Sequence, residues 1–293
     1  MCDLVELFCK IDDFWKNFEP LYSAQLLGQG KHSPKRPSSL AMSEVILILI
    51  LFHSIRYRDF KTFYLHHLSV YLKKEFPGLV SYPQFLELKK RAILPLYCFL
   101  FFLRGQCSGI SLVDSTSLVV CHQKRIHSHQ VFRGIAKRGK TTKGWFYGFK
   151  LHLIVNEFGE LLSFLISTGN TSDLSVLPQL TRGLFGKLFG DKGYISKEMF
   201  ENLFAQGIQL ITKLRARMKN KLMQVVDKII LRKRGMIDSV IGQLKHACQI
   251  EHSRHRSPVN FIVNILGALA SYSLRPDKPS IRVEKSAIRL LTI

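Results

Sequence analysis

Three aspartates stand where carboxylates could do chemistry. Asp114 lies inside the β-branched run ISLVDSTSLVV, Asp191 follows KLFG and precedes KGY, and Asp238 sits in the basic stretch LRKRGMIDSVIGQLKHACQIEHSRHR. A carboxylate inside a strand is costly unless something compensates it. For each acid a plainer reading exists: Asp114 bonded to Ser115 and Thr116, Asp191 in an ordinary Asp-Lys-Gly turn, Asp238 paired with Arg234 at i,i+4. Taken together they suggest more. Two-metal phosphoryl transfer needs about three carboxylates from different segments, because each Mg²⁺ keeps octahedral oxygen ligation and the two ions sit about 4 Å apart. One acid within a strand, one at a neighbouring strand end and one on a covering helix would supply them.

The elements that must position these acids can be read from periodicity. Residues 1–107 read as helical, through SEVILILILFHSIRYRDFKTFYLHHL with Ser43 as a candidate cap, and breaks fall at GKHSPKRPSS, FPG and Pro95. From 108 the pattern turns to strands: GISLVDSTSLVVC, WFYGFKLHLIVNEFG and ELLSFLISTGN. NEFGE reads as a hairpin turn, so three strands should lie side by side in sequence order. Helices and strands then alternate through SDLSVLPQLTRGL, KLFGD, SKEMFENLFAQG and IQLITKL, and a long helix begins near 220. On that helix Ile237, Val240, Ile241, Leu244 and Cys248 form an apolar face, with Arg234, Asp238 and Lys245 along its border. The expected layout is α/β: an all-helical region over 1–107, a mixed sheet flanked by helices over 108–275, and a basic tail over 276–293.

Composition indicates the partner. With 43 Lys and Arg against 21 Asp and Glu, the chain carries a formal charge of +22. That excess predicts a polyanion, nucleic acid before an anionic membrane. The longest apolar run, VILILILF, is too short to span a bilayer and reads as a buried helix. Six cysteines without a C-x-x-C pair, and no signal-peptide order at the N-terminus, suit a reducing cytoplasm. Cys121, His122, His127 and His129 lack the paired spacing of a structural zinc site.

The basic residues are concentrated. Residues 124–150 hold eight Lys or Arg and no acid, and read as a flexible loop offering Arg133, Lys137, Arg138, Lys140 and Lys143 to phosphates. Within it Trp145, Phe146, Tyr147 and Phe149 could stack on bases, although the alternation sends Phe146 and Phe149 to the core. A second run over 213–234 holds nine basic residues and one acid, Asp227. Arg254 and Arg256 have forked donors suited to phosphate; Lys192 and Tyr194, just after Asp191, could orient a phosphate or the attacking water, or Tyr194 could simply pack beside the turn.

The phrases LVDSTSLVVCH, VFRGIAKRGKTTKGWFYGFKLHLIVNEFGE, STGNTSD, GDKGYIS and IEHSRHRS resemble the DDE transposases of bacterial insertion sequences, in particular the insertion-sequence 982 family, over about residues 40–275. The resemblance implies a ribonuclease-H-like catalytic domain behind a helical DNA-binding region. It also implies cleavage and strand transfer assisted by two Mg²⁺ or Mn²⁺ ions. The partners it implies are double-stranded DNA, as terminal inverted repeats and target, and a second copy of the chain, in the nucleoid of a bacterial cytoplasm. Carried over by position, the first two acids fall on Asp114 and Asp191. The third lies in a signature ordered Tyr, two residues, Arg, three residues, Glu, six residues, Lys. Here Arg234, Asp238 and Lys245 keep the spacing, while Leu231 replaces the Tyr and Asp238 the Glu. Asp is one methylene shorter, roughly 1.5 Å less in reach. Glu251 and Glu198 are rival third acids without that spacing. Two alternatives follow: a catalytically impaired, transposase-derived DNA-binding protein, and a two-metal nuclease of the same fold.

Overall fold

The computed structural model describes residues 3–28, 38–142, 144–213, 223–251 and 255–281. They form two compact units. The first holds the residues up to Leu103 together with Leu244–Ile250 and His255–Arg275, and the second holds Arg104–Gln243, Glu251 and 276–281.

The first unit is helical. It comprises α1 (Leu4–Gly28), α2 (Met42–Ser54), the short α3 (Phe60–Thr62) and α4 (Ser69–Tyr71) on either side of a π-turn over Phe63–Leu68, α5 (Tyr82–Arg91) and α6 (Ile93–Phe102). The apolar run of α2 is buried along Val45–Phe52, as an all-round hydrophobic helix must be. Ser43 does not cap it. The cap position is Ala41, whose N–H donates to the Glu44 carboxylate at 2.7 Å, and Ser43 is the second residue of the helix, buried. Pro95 does not break the chain either: it sits in the first turn of α6, where no helical N–H partner is needed. The helix Pro258–Ser273 packs on α2 and α6 in this same unit. Among the described residues no helix is long and apolar enough to cross a membrane.

The second unit is a mixed six-stranded sheet with helices. Its elements are β1 (Ile110–Cys121), β2 (Lys137–Thr141), β3 (Gly144–Asn156), β4 (Leu161–Thr168), α7 (Asp173–Leu180), β5 (Gly186–Gly190), α8 (Lys197–Ala205), β6 (Ile208–Thr212), α9 (Val225–Lys233) and α10 (Met236–Gly242). In chain order α11 is the Pro258–Ser273 helix of the first unit. The sheet runs β2-β3-β1-β5-β6, with β4 also on β3. β1, β3 and β4 pair antiparallel, whereas β1–β5 and β5–β6 are parallel. The three leading strands thus lie side by side as the turn signal requires. Val113, Ile154, Leu162 and Leu188 from the sheet pack with Leu177 of α7, Leu203 of α8 and Tyr194. Each fully buried Leu or Val there contributes about 1.5–3 kcal/mol.

Two expectations are corrected here. The basic segment after β1 is not a flexible loop: it contains the 3₁₀ turn Gln123–Arg125 and the strand β2, paired with β3 from Lys137↔Gly148 to Thr141↔Gly144. The long helix begun near 220 is two helices within the described residues. They break at Arg234–Gly235, where glycine is a poor helix former, and the run ends in a π-turn at Gln243–Ala247. The regular 100° stripe of Arg234, Asp238 and Lys245 is therefore interrupted.

Candidate active site

Strand register sets the first two acids level. β1 and β5 are parallel, pairing Ile110 with Lys187, Ser111 with Leu188 and Leu112 with Phe189. Carried two steps further, that register puts Asp114 beside Asp191, one residue past the end of β5. Asp191 caps the 3₁₀ turn Lys192–Tyr194, its side chain accepting the Lys192 N–H at 2.7 Å. The turn reading of Asp191 is thus true of its backbone, and it leaves the residue exposed just past the end of β5. Asp114 accepts the N–H of Ser115 at 2.8 Å.

Asp238 is carried by α10, which packs on β1 and buries Met236, Ile237 and Val240. The helices behind it are clamped: buried Asp227 of α9 accepts Lys187 Nζ of β5 at 2.8 Å, so the one acid of the second basic run is consumed internally. Arg234, between α9 and α10, turns inward. Its Nη2 lies 3.6 Å from Asp114 Oδ2, and its Nη1 is buried without a hydrogen-bond partner. Arg234 therefore serves Asp114, and the i,i+4 pair with Asp238 does not form among the described ion pairs. Asp238 stays exposed.

The electrostatics of Asp114 gather these groups. Its pKa is pushed up from 3.8 to about 6, first by burial and further by the negative charges of Asp238 and Asp191. The Arg234 guanidinium and the Ser115 N–H oppose the rise. Both other acids are thus near enough to be felt at Asp114. A donor set made only of carboxylate oxygens has the chemistry a hard divalent cation requires. Among the described residues no three His, Cys, Asp or Glu side chains lie close enough together to hold one ion.

A second polar cluster adjoins the acids, and sequence reading missed it. Asp173, the first residue of α7, accepts from Ser115 Oγ at 3.1 Å and Lys150 Nζ at 3.1 Å, with His152 Nδ1 at 3.6 Å. Lys150 also donates to the Thr171 carbonyl at 2.9 Å, and His152 Nε2 pairs with Ser167 Oγ at 2.8 Å. Burial drives the His152 pKa down to about 4, so the ring is neutral near pH 7 despite Asp173. The Tyr194 ring is buried beside this cluster, and burial pushes its hydroxyl pKa upward. The signal was present: Ser115 and His152 are cross-strand partners, and the phrase STGNTSD ends on Asp173.

The remaining candidates are distributed. Lys192 is exposed beside Asp191, and Arg133, Lys137, Arg138 and Lys140 are exposed on the basic segment. Lys245 lies half-buried in the π-turn and Arg256 is exposed, both within the helical unit. Lys143 and Arg254 lie outside the described residues. The rival acid Glu251 accepts from the Val119 N–H at 3.2 Å, further along β1, and Glu198 is exposed in the first turn of α8.

Comparison with known proteins adds the family. In the piggyBac transposase synaptic complex with hairpin DNA, a chain aligns at a TM-score of 0.47 and 11% identity, over 99% of this chain and 79% of that one. In the simian T-cell lymphotropic virus intasome in complex with a PP2A regulatory subunit, a chain aligns at 0.29 and 14% identity, over 62% of this chain and 54% of that one. No curated protein matches the sequence. A family model, the transposase DDE domain, matches residues 104–258, more than half of the chain. Enzymes of that family use divalent metal ions. The stretch matched includes the sheet, α7–α10 and all three aspartates, and the chain belongs to the DDE transposases: it is a DNA transposase.

Proposed function

We propose that Asp114, Asp191 and Asp238 form the metal-binding triad of an insertion-sequence transposase of the 982 type. The observation that supports this reading is that the charges of Asp238 and Asp191 both raise the proton affinity of Asp114, with Asp191 one residue past the strand that pairs parallel with β1. Two Mg²⁺ or Mn²⁺ ions, when bound, activate a water or 3′-hydroxyl and stabilise the leaving oxygen. Asp114 would supply an oxygen ligand from within β1, Asp191 one from just past the end of β5, and Asp238 the third from α10. Arg234, beside Asp114, supplies the cation of the signature and would contact a phosphate of the bound strand next to the metal ligands. Lys192, Lys245, Arg254, Arg256 and the basic residues over 133–143 contact the DNA backbone.

The ribonuclease-H-like assignment is supported by the antiparallel meander β1-β3-β4 followed by parallel β5 and β6 reached through helices. The helical unit is the DNA-binding region of the terminal inverted repeats, and the enzyme acts as a dimer on two element ends in a bacterial cytoplasm. In the test, Asp114→Asn and Asp191→Asn abolish Mg²⁺-dependent cleavage of element-end DNA and leave DNA binding intact. Cleavage retained in either variant overturns the assignment.

One observation favours a second reading, an impaired enzyme that still binds DNA: Asp238 is exposed, and it is one methylene shorter than the Glu of the signature. Asp238→Glu separates the two. A gain of tenfold or more, as expected for a ligand brought into reach, supports impairment, and unchanged cleavage supports a working Asp.

A further inference from the structure

The β2–β3 hairpin carries Trp145 in an unusual setting. The residue is 57% exposed, although the next two residues, Phe146 and Tyr147, are buried. A single exposed apolar side chain needs no explanation. Here the frame does, because Lys124, Arg125, Lys137, Arg138 and Lys140 are all exposed on the same basic segment. Lys140 is the cross-strand partner of Trp145, and its Nζ sits 5.7 Å from the ring centroid, a cation over the π-face.

The platform is also rigid. Gln123 Nε2 donates to the Trp145 carbonyl, and Thr141 Oγ1 donates to the Gly144 carbonyl at 3.2 Å. Beneath, Gly139 lies so close to the Gly169 carbonyl and the Phe146 ring that a Cβ would overlap both. The hairpin is thereby seated on the loop that leads into Asp173.

We propose that this hairpin is a seat for an unpaired nucleobase at a DNA end, with Trp145 as the stacking surface and the surrounding lysines and arginines on the adjoining phosphates. The proposal rests on the transposase reading and names a substrate feature within it. An intact duplex offers no free base face without unstacking, which costs a few kcal/mol, whereas an unpaired base presents its π-face at once. A rigid, exposed indole in a basic frame therefore selects frayed, forked or single-stranded ends over duplex interior.

The experiment measures binding of the full-length protein to three DNAs of the same sequence: a blunt duplex, a duplex with an unpaired fork, and the single strand. Trp145→Ala is expected to weaken binding to the fork and the single strand about tenfold, with Trp145→Phe retaining most of the affinity. Blunt-duplex binding is expected to be unchanged. Fork DNA should quench tryptophan fluorescence in the wild type and not in Trp145→Phe, which keeps only Trp15. Equal losses on all three DNAs, or no loss on the fork, overturn the proposal while leaving the transposase reading standing. A wild-type protein that binds none of the three DNAs overturns the transposase reading, and this proposal with it.

Discussion

The Arg234 guanidinium lies 3.6 Å from the Asp114 carboxylate, across the gap between the α9–α10 junction and β1. It offsets part of the burial that raises Asp114 to about 6. Replacing it with Gln removes the cation that favours the charged carboxylate, so the Asp114 pKa must rise further. The acid limb of the cleavage rate against pH should move to higher pH by roughly one unit. A limb that stays in place or moves to lower pH would show that Asp114 does not control it.

Ionising Asp114 also costs the metal-free protein stability at neutral pH. Its folded pKa, about 6, lies above the ordinary 3.8, so the folded chain holds this proton more tightly than the unfolded chain does. The stability this gives is complete below pH 3.8 and is lost as pH rises through 6. Asp114→Asn should therefore stabilise the metal-free protein at pH 7–8 by about 1–3 kcal/mol, with the gain vanishing near pH 4. Thermal unfolding in a chelating buffer across that pH range gives the comparison.

Asp173 is the acceptor on which Ser115 and Lys150 converge. Asp173→Asn keeps the shape but removes the charge facing Lys150, whose side chain is 13% exposed. A loss of about 1–3 kcal/mol follows from leaving that ammonium without its counter-charge. Because Ser115 adjoins Asp114, turnover should fall while affinity for DNA holds. Urea unfolding and single-turnover cleavage read the two effects separately.

The Lys187–Asp227 pair fixes α9 to β5. Lys187→Met strands a buried carboxylate and should cost about 1–3 kcal/mol, less than a fully buried pair because Lys187 is partly exposed. Adding Asp227→Asn should recover much of the loss, which a double-mutant cycle by thermal unfolding would measure.

Much of this was legible in the sequence, for physical reasons. β1, β3 and β4 announce themselves by β-branched runs and the NEFGE turn, and α7, α8 and β6 by their alternation. The transposase family was carried by the quoted phrases. What stayed hidden depends on long-range contact. β2 is a strand only because its edge pairs with β3 and its Gly139 fits beneath Gly169. The break at Gly235 was invisible to a periodicity that continues on both sides of it. Arg234 looked like a partner for Asp238 at i,i+4, and only the packing of α10 on β1 turns it to Asp114. Asp173 carried no metal or catalytic spacing, so nothing marked it until the sheet brought Ser115, Lys150 and His152 around it.

The central claim is that Asp114, Asp191 and Asp238 hold the divalent ions together. Mn²⁺ titration of the full-length protein, followed by electron paramagnetic resonance in the wild type and in Asp114→Asn, Asp191→Asn and Asp238→Asn, tests it most directly. Binding weakened at least tenfold in each variant, with wild-type affinity rising as pH passes through 6, is the predicted result. Wild-type Mn²⁺ affinity in Asp238→Asn, or in either of the other two, would contradict it.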